Sequence, residues 1–276
     1  MKKIRFGDMR WPEIDEVLKK SNVVLLPVGS TEQHGRHLPV NFDFYSAAYL
    51  AEKAARRVTD ENNIHVLVAP TIPYGETFGR PPFEKQLPGS ITISADTLIR
   101  LVEDVVRSLV IQGFKNILVL NGHLENVAPI EIALREITIE FKELKGLGLY
   151  ATNWFFMAQD TWAKISKGGR TSLGHAGENE TSVALAIEPE NVQLGVTYEG
   201  GSTFSLPPKY VLPVSGPLVF YHSRVGGVRD SGMHVKDPNV ATKETGEKFI
   251  AAVIDELAEI IVGIAKSEGM THEDRV

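Results

Sequence analysis

No cysteine occurs among the 276 residues. Disulfides and thiolate ligands are therefore excluded, and any metal must be held by histidine, carboxylate and water. Nor is there a run of about 18 apolar residues, the length a membrane-crossing helix needs. The N-terminal stretch MKKIRFGDMRWPEIDE carries two lysines but no apolar segment after them, so it does not read as a secretion signal and a cytoplasmic location is expected. Basic excess is missing as well. The formal net charge is −6, and nothing supplies the stripe of positive charge that a nucleic acid or an anionic membrane would need. No GxGxxG follows a strand, no GxxxxGK[ST] is present, and GSTEQ (29–33) is not a nucleophile elbow. A small or neutral partner is the more natural expectation.

What is present is ordinary globular material: 43% hydrophobic and 23% charged residues, in a chain whose length suits one domain spanning 1–276. The short apolar run Asn22–Val28 reads as a strand covered on both faces, His65–Pro70 is a second apolar run, Asn116–Leu120 the next buried strand, and Gly148–Asn153 a further strand. Between them, helices are expected over Phe42–Arg57, from a cap at Asp96 to Gly113, over Glu125–Glu143 and over Glu178–Ile187. Phe249, Val253, Leu257, Ile260 and Ile264 place an amphipathic helix at the C-terminal end. The alternation predicts a layered α/β fold with a mostly parallel sheet, whose ligands sit at the carboxyl ends of the strands. Two stretches stay without period: Gly195–Asp237, and a loop of about 20 residues over 71–90 that carries Tyr74, Phe78 and Arg80. These three side chains could reach a ligand.

The chemistry concentrates after two of the strands. GSTEQHGRHLPVNFD (29–43) delivers Glu32, His34 and Asp43, and NGHLEN (121–126) delivers His123 and Glu125. Parallel strands would bring all five to one edge. Two imidazoles and three carboxylates suit Zn²⁺ or Mn²⁺, and exceed what one ion needs. A carboxylate between two ions would make a dinuclear centre, in which ions about 3.5–4 Å apart share a hydroxide and polarise a carbonyl. Asp43 could equally cap the helix that follows it, and His37 reads as a supporting or structural histidine. A third segment, GHAGENETS (174–182), offers His175, able to carry a proton near neutrality. It also offers Glu180, which is either a catalytic acid or a first-turn residue favoured by the helix dipole. Trp154, following the strand Gly148–Asn153, is either a pocket wall or core packing.

With these residues in view, LPVGSTEQHGRHLPVNFD, LPGSITI, NGHLEN and GHAGENETS, in that order, resemble the creatininase (creatinine amidohydrolase) family over about residues 5 to 190. The resemblance implies a dinuclear Zn/Mn hydrolase on a three-layer α/β/α scaffold, assembled as a homo-oligomer, commonly a hexamer. By motif position Glu32, Asp43 and His123 would bind one ion, and His34, Asp43 and Glu125 the other. His175 would be the proton-transfer histidine, Glu180 its supporting acid, and Trp154 the ring that packs on the substrate. Creatinine-hydrolysing members carry a second tryptophan and an acid where this chain reads Thr171, Ser172, Leu173 and Gly174, which disfavours creatinine itself. The expected reaction is the opening of a small cyclic substrate at a ring carbonyl, either a cyclic amide or a polyhydroxylated cyclic diketone of the 3-dehydro-scyllo-inosose type. The alternatives are a deformylase acting on a pyrimidine intermediate and a metal-binding member without catalysis.

Overall fold

The computed structural model describes residues 2–77, 88–196 and 238–267. Among the described residues four strands form one sheet: β1 (Val23–Val28), β2 (Leu67–Val68), β3 (Asn116–Asn121) and β4 (Gly148–Asn153). Their order is β2-β1-β3-β4 and every pairing is parallel. Every connection must therefore cross back over a face of the sheet, which is why both faces carry helices.

Side-chain alternation along β1 divides the core in two. Val23 and Leu25 point to one face, where α2 (Phe42–Glu61) and the C-terminal α7 (Lys243–Lys266) cover them with Leu50, Val58, Phe249, Val253 and Leu257. Val24, Leu26 and Val28 point to the other, under α1 (Trp11–Leu18), α3 (Ala95–Gln112) and α4 (Val127–Glu140). The result is the expected three-layer α/β/α arrangement. Each fully buried Leu, Val or Phe contributes about 1.5–3 kcal/mol to it. Two further helices, α5 (Gln159–Ile165) and α6 (Glu178–Ile187), follow β4 and pack on the α7 side.

Local departures from the sequence pattern have local causes. Helix α3 is capped by Ser94, whose hydroxyl accepts from the Thr97 amide, so Asp96 lies in the first turn and not at the cap. The predicted helix over Glu125–Glu143 is a short 3-10 turn, Leu124–Asn126, followed by α4. Helix α1, which has no counterpart among the expected elements, begins at a capping box in which the Glu13 carboxylate takes the Arg10 amide. Of the stretch Gly195–Asp237, residues 197–237 lie outside the described residues, as do Phe78 and Arg80. Among the described residues no helix is long and apolar enough to cross a membrane.

Candidate metal centre

The carboxyl ends of β1 and β3 lie side by side, Val28 paired with Asn121, so the loops leaving them share one edge of the sheet. Helix α2 starts against both. A side chain on Gly29 would collide with the backbone of Asp43 and Phe44, and one on Gly122 with the Asp43 carbonyl. Two glycines thus let the first turn of α2 wedge between the strand ends. Asp43 is not the cap, since Asn41 holds that position; it sits inside the first turn, where the dipole favours an anion.

That placement makes Asp43 the centre of the cluster. Its Oδ1 lies 3.0 Å from His34 Nε2 and its Oδ2 lies 2.9 Å from His123 Nδ1. Glu32 Oε2 is 3.3 Å from His123 Nδ1 and 3.6 Å from His175 Nδ1. Glu180 Oε2 is 3.6 Å from His34 Nε2. Asp43, His34 and His123 are almost wholly buried.

Among the described residues three groups could hold a metal ion, each with its ligand atoms within 4.8 Å of one another: Glu32, Asp43 and His123; His34, Asp43 and Glu180; Glu32, His34 and His175. The first two share Asp43. Glu32 Oε2, His34 Nε2 and Asp43 Oδ2 are buried without a hydrogen-bond partner, close to their neighbours but not aligned with them. Such atoms are costly to leave unsatisfied, and a divalent cation is what their geometry and donor types suit.

In the absence of a cation the cluster must hold protons instead. Burial pushes the Glu32 carboxyl up to about 8 and that of Glu180 up to about 7. Burial opposes a charged His34, but Asp43, then Glu180 and Glu32, carry it up to about 10. Burial likewise opposes ionisation of Asp43, yet His34 and His123 hold it well below the usual carboxylate range. His123 is raised against its burial by Glu125, Glu32 and Asp43.

Two expectations change. Glu180, not Glu125, stands beside His34 and Asp43. Glu125 Oε2 lies 3.0 Å from His123 Nε2, across the ring from the Asp43 carboxylate, because the 3-10 turn carries it to the outer side. Glu180 serves the His175 segment through the backbone, accepting the Ala176 amide at 2.6 Å. Trp154 is fully buried, its indole turned by the 3-10 turn Trp154–Phe156 among Phe42, Phe155 and Phe249 at centroid distances of 6.1, 6.0 and 6.4 Å. Trp154 thus packs as a core side chain, the second of its two readings.

Within residues 171–174 the interior takes up Ser172 and Leu173. Ser172 is buried, its hydroxyl accepting from Trp162 Nε1 and donating to the Gly169 carbonyl, and Leu173 belongs to the core; the Thr171 side chain lies outside the description. Tyr74 stands 42% exposed on its loop. His37 is buried with Nε2 at 2.8 Å from Thr181 Oγ1, tying the Glu32–His34 loop to α6.

Residues overlooked in the sequence bind the loops together. Asn126 donates to the Gly29 carbonyl at 2.9 Å and accepts the Glu76 amide at 3.1 Å. The Asn121 amide grips the His123 backbone on both sides. The signal was available, since both asparagines flank the two ligand candidates within one hexapeptide. Gln33, between Glu32 and His34, reaches His175 Nε2 at 3.0 Å.

Residues 7–261 match a family model described as creatininase, creatinine amidohydrolase. The chain is 27% identical over 271 residues to the creatinine amidohydrolase of Pseudomonas putida, covering 94% of this chain and 96% of that one. It is 26% identical over 270 residues to the 3-dehydro-scyllo-inosose hydrolase of Thermotoga maritima (94% and 82% covered). It is 28% identical over 244 residues to the mycofactocin precursor peptide peptidase of Mycolicibacterium smegmatis (87% and 84% covered). Among solved structures, one described as creatininase Mn superposes with a TM-score of 0.77 at 24% identity, covering 96% of this chain and 99% of that one. A Zn-Zn type mutant creatininase does so at 0.77 and 23%, with the same coverage. At that identity the superpositions speak for the fold.

Proposed function

The chain belongs to the creatininase family and is a hydrolase, and from that premise we propose that it opens a small cyclic substrate by attack of water on a ring carbonyl, using two divalent ions. Zinc and manganese are the ions named for the structural relatives, and both accept a ligand set of imidazole and carboxylate. Glu32, Asp43 and His123 would hold one ion, and His34, Asp43 and Glu180 the other, with Asp43 shared. Bound there, the ions would acidify water and polarise a carbonyl oxygen.

The chain's own groups divide the remaining work. Glu125 is left outside both ligand groups and keeps 17% of its side chain exposed at the outer rim, the place for a base that takes the proton of the attacking water. His175, equally exposed on the Glu32 side, hydrogen-bonds the substrate atom that gains charge or leaves. Ala176 adopts a left-handed backbone, φ 54°, unusual for a residue other than glycine, and its amide hydrogen bond to Glu180 holds that turn against α6.

The observation that carries the reading is the sharing of Asp43 between two ligand groups whose buried atoms lack other partners. The bond cleaved is C–N in a cyclic amide or C–C in a cyclic diketone. Relatives with these activities align over 94% of the chain. The test is turnover by zinc- or manganese-loaded protein of creatinine, simple lactams, inositol-derived diketones and short peptides, with Glu125→Gln as control. Turnover of a cyclic compound that the control lacks supports the reading. Turnover of peptides alone, or none at all, overturns it.

A further inference from the structure

The contact between Gln33 and His175 determines more than a position. The Gln33 carboxamide has two unlike ends, and the Gly35 amide identifies which is which. Gly35 N–H donates to Gln33 Oε1 at 3.0 Å, so the oxygen faces its own loop and the NH₂ end faces His175 Nε2 at 3.0 Å. An amide nitrogen only donates, so this contact is a hydrogen bond only if His175 Nε2 carries a lone pair. In the neutral ring the hydrogen then sits on Nδ1, the atom that lies 3.6 Å from Glu32 Oε2. A flipped amide would set its NH₂ against the Gly35 N–H, which forbids the opposite arrangement. The Gln33 main chain is itself pinned, its amide donating to Ser90 Oγ at 3.0 Å.

We propose that Gln33 is a positioning residue that holds His175 as the Nδ1–H tautomer, so that the ring presents a hydrogen-bond donor on the Glu32 side of the site. A ligand seated there must offer an acceptor oxygen, carbonyl or carboxylate in character, and one that offers an N–H is rejected. The tautomer rests on the two contacts of the Gln33 carboxamide. Its consequence for substrate choice rests on the hydrolase reading above.

The test is ¹⁵N NMR of zinc-loaded, histidine-labelled full-length protein, with His175→Ala used to assign the ring signals. Wild-type protein should show a protonated Nδ1 and an unprotonated Nε2. Gln33→Glu replaces the donor by an acceptor and should move the hydrogen to Nε2; Gln33→Met, which neither donates nor adds charge, should leave a mixture of tautomers. With a substrate that turns over, both variants should lose about 10- to 100-fold in kcat while KM changes little. An Nε2–H signal in wild-type protein overturns the proposal, and so does a spectrum unchanged by both variants. The spectroscopic arm needs no substrate, so a failed turnover screen defeats the hydrolase reading without touching this one.

Discussion

The Asp43 carboxylate meets the His123 imidazole at 2.9 Å across the junction of a helix and a strand end. Its other oxygen faces His34, which leaves the neighbouring strand. One side chain therefore couples both ligand groups. Asp43→Asn keeps the shape and removes the charge, and it should lower bound metal from two ions per chain to one or none, with turnover falling by about two orders of magnitude or more. Elemental analysis of the purified variant checks this; two retained ions would remove Asp43 from the bridging position.

Glu125→Gln should behave differently. Because Glu125 stands at the far nitrogen of His123 and outside the ligand groups, the variant should keep its metal and lose about 10²–10⁴ in kcat. Metal content and steady-state kinetics on one preparation separate base from ligand. Metal loss in step with activity would restore Glu125 to the ligand set.

Gly122→Ala tests the wedge. The new methyl meets the Asp43 carbonyl, so the start of α2 must move, and overpacking of this kind costs about 1–3 kcal/mol, occasionally more. The expected result is a lower Tm together with weaker metal binding. A variant that loses stability but binds metal normally would show that the first turn of α2 need not sit where it does.

Trp154→Phe should act as a core substitution. With the indole enclosed by Phe42, Phe155 and Phe249, the variant should lose about 1–3 kcal/mol on urea unfolding and leave KM unchanged. A raised KM at unchanged stability would return Trp154 to the substrate wall.

Stability against pH should invert with metal content. Glu32 and Glu180 take protons more readily folded than unfolded, up to about 8 and about 7, and His34 does so up to about 10. For each, the folded chain binds more protons over the interval from the ordinary value to the raised one, so stability is greatest below it and is lost as pH rises through it. Chelator-treated protein should therefore lose Tm steadily from about pH 5 to about pH 10. Metal-loaded protein should gain over the lower half of that range, because ions compete with those protons. Thermal scans of both forms in matched buffers decide it, and parallel curves would mean the cluster does not govern stability.

The fold was legible because it rests on burial. A strand covered on both faces writes itself as VVLLPV or NILVL, and β4 and α6 occupy the expected residues. Caps were less legible, since Ser94 and Asp96 both suit the start of α3 and only the backbone chooses between them. At the site, the loops converge as their positions after parallel strands imply. The partition of carboxylates was not legible. Glu125 lies two residues from His123 and Glu180 more than fifty away, and linear proximity favours Glu125, where the structure sets Glu180 beside His34 and Asp43. Trp154 stayed open between two readings for a related reason: which way an aromatic turns after a strand depends on a single 3-10 turn. The tie between Gln33 and His175 joins residues 142 positions apart, and nothing in either segment announces it.

The parallel order β2-β1-β3-β4 has a consequence for how the protein is made. The groups that converge on Asp43 begin at Glu32 and end at Glu180, so the cage closes only after β1, α2, β3 and α6 have all found their places. Long-range pairing of this sort is slow, and the loops must be closed before their contacts repay the entropy. An ion bound there would be captured by a structure that is already complete. Captured late, it would strengthen contacts made after the folding transition state, so adding metal should slow the rate at which the native chain comes apart and leave the rate of its assembly almost untouched.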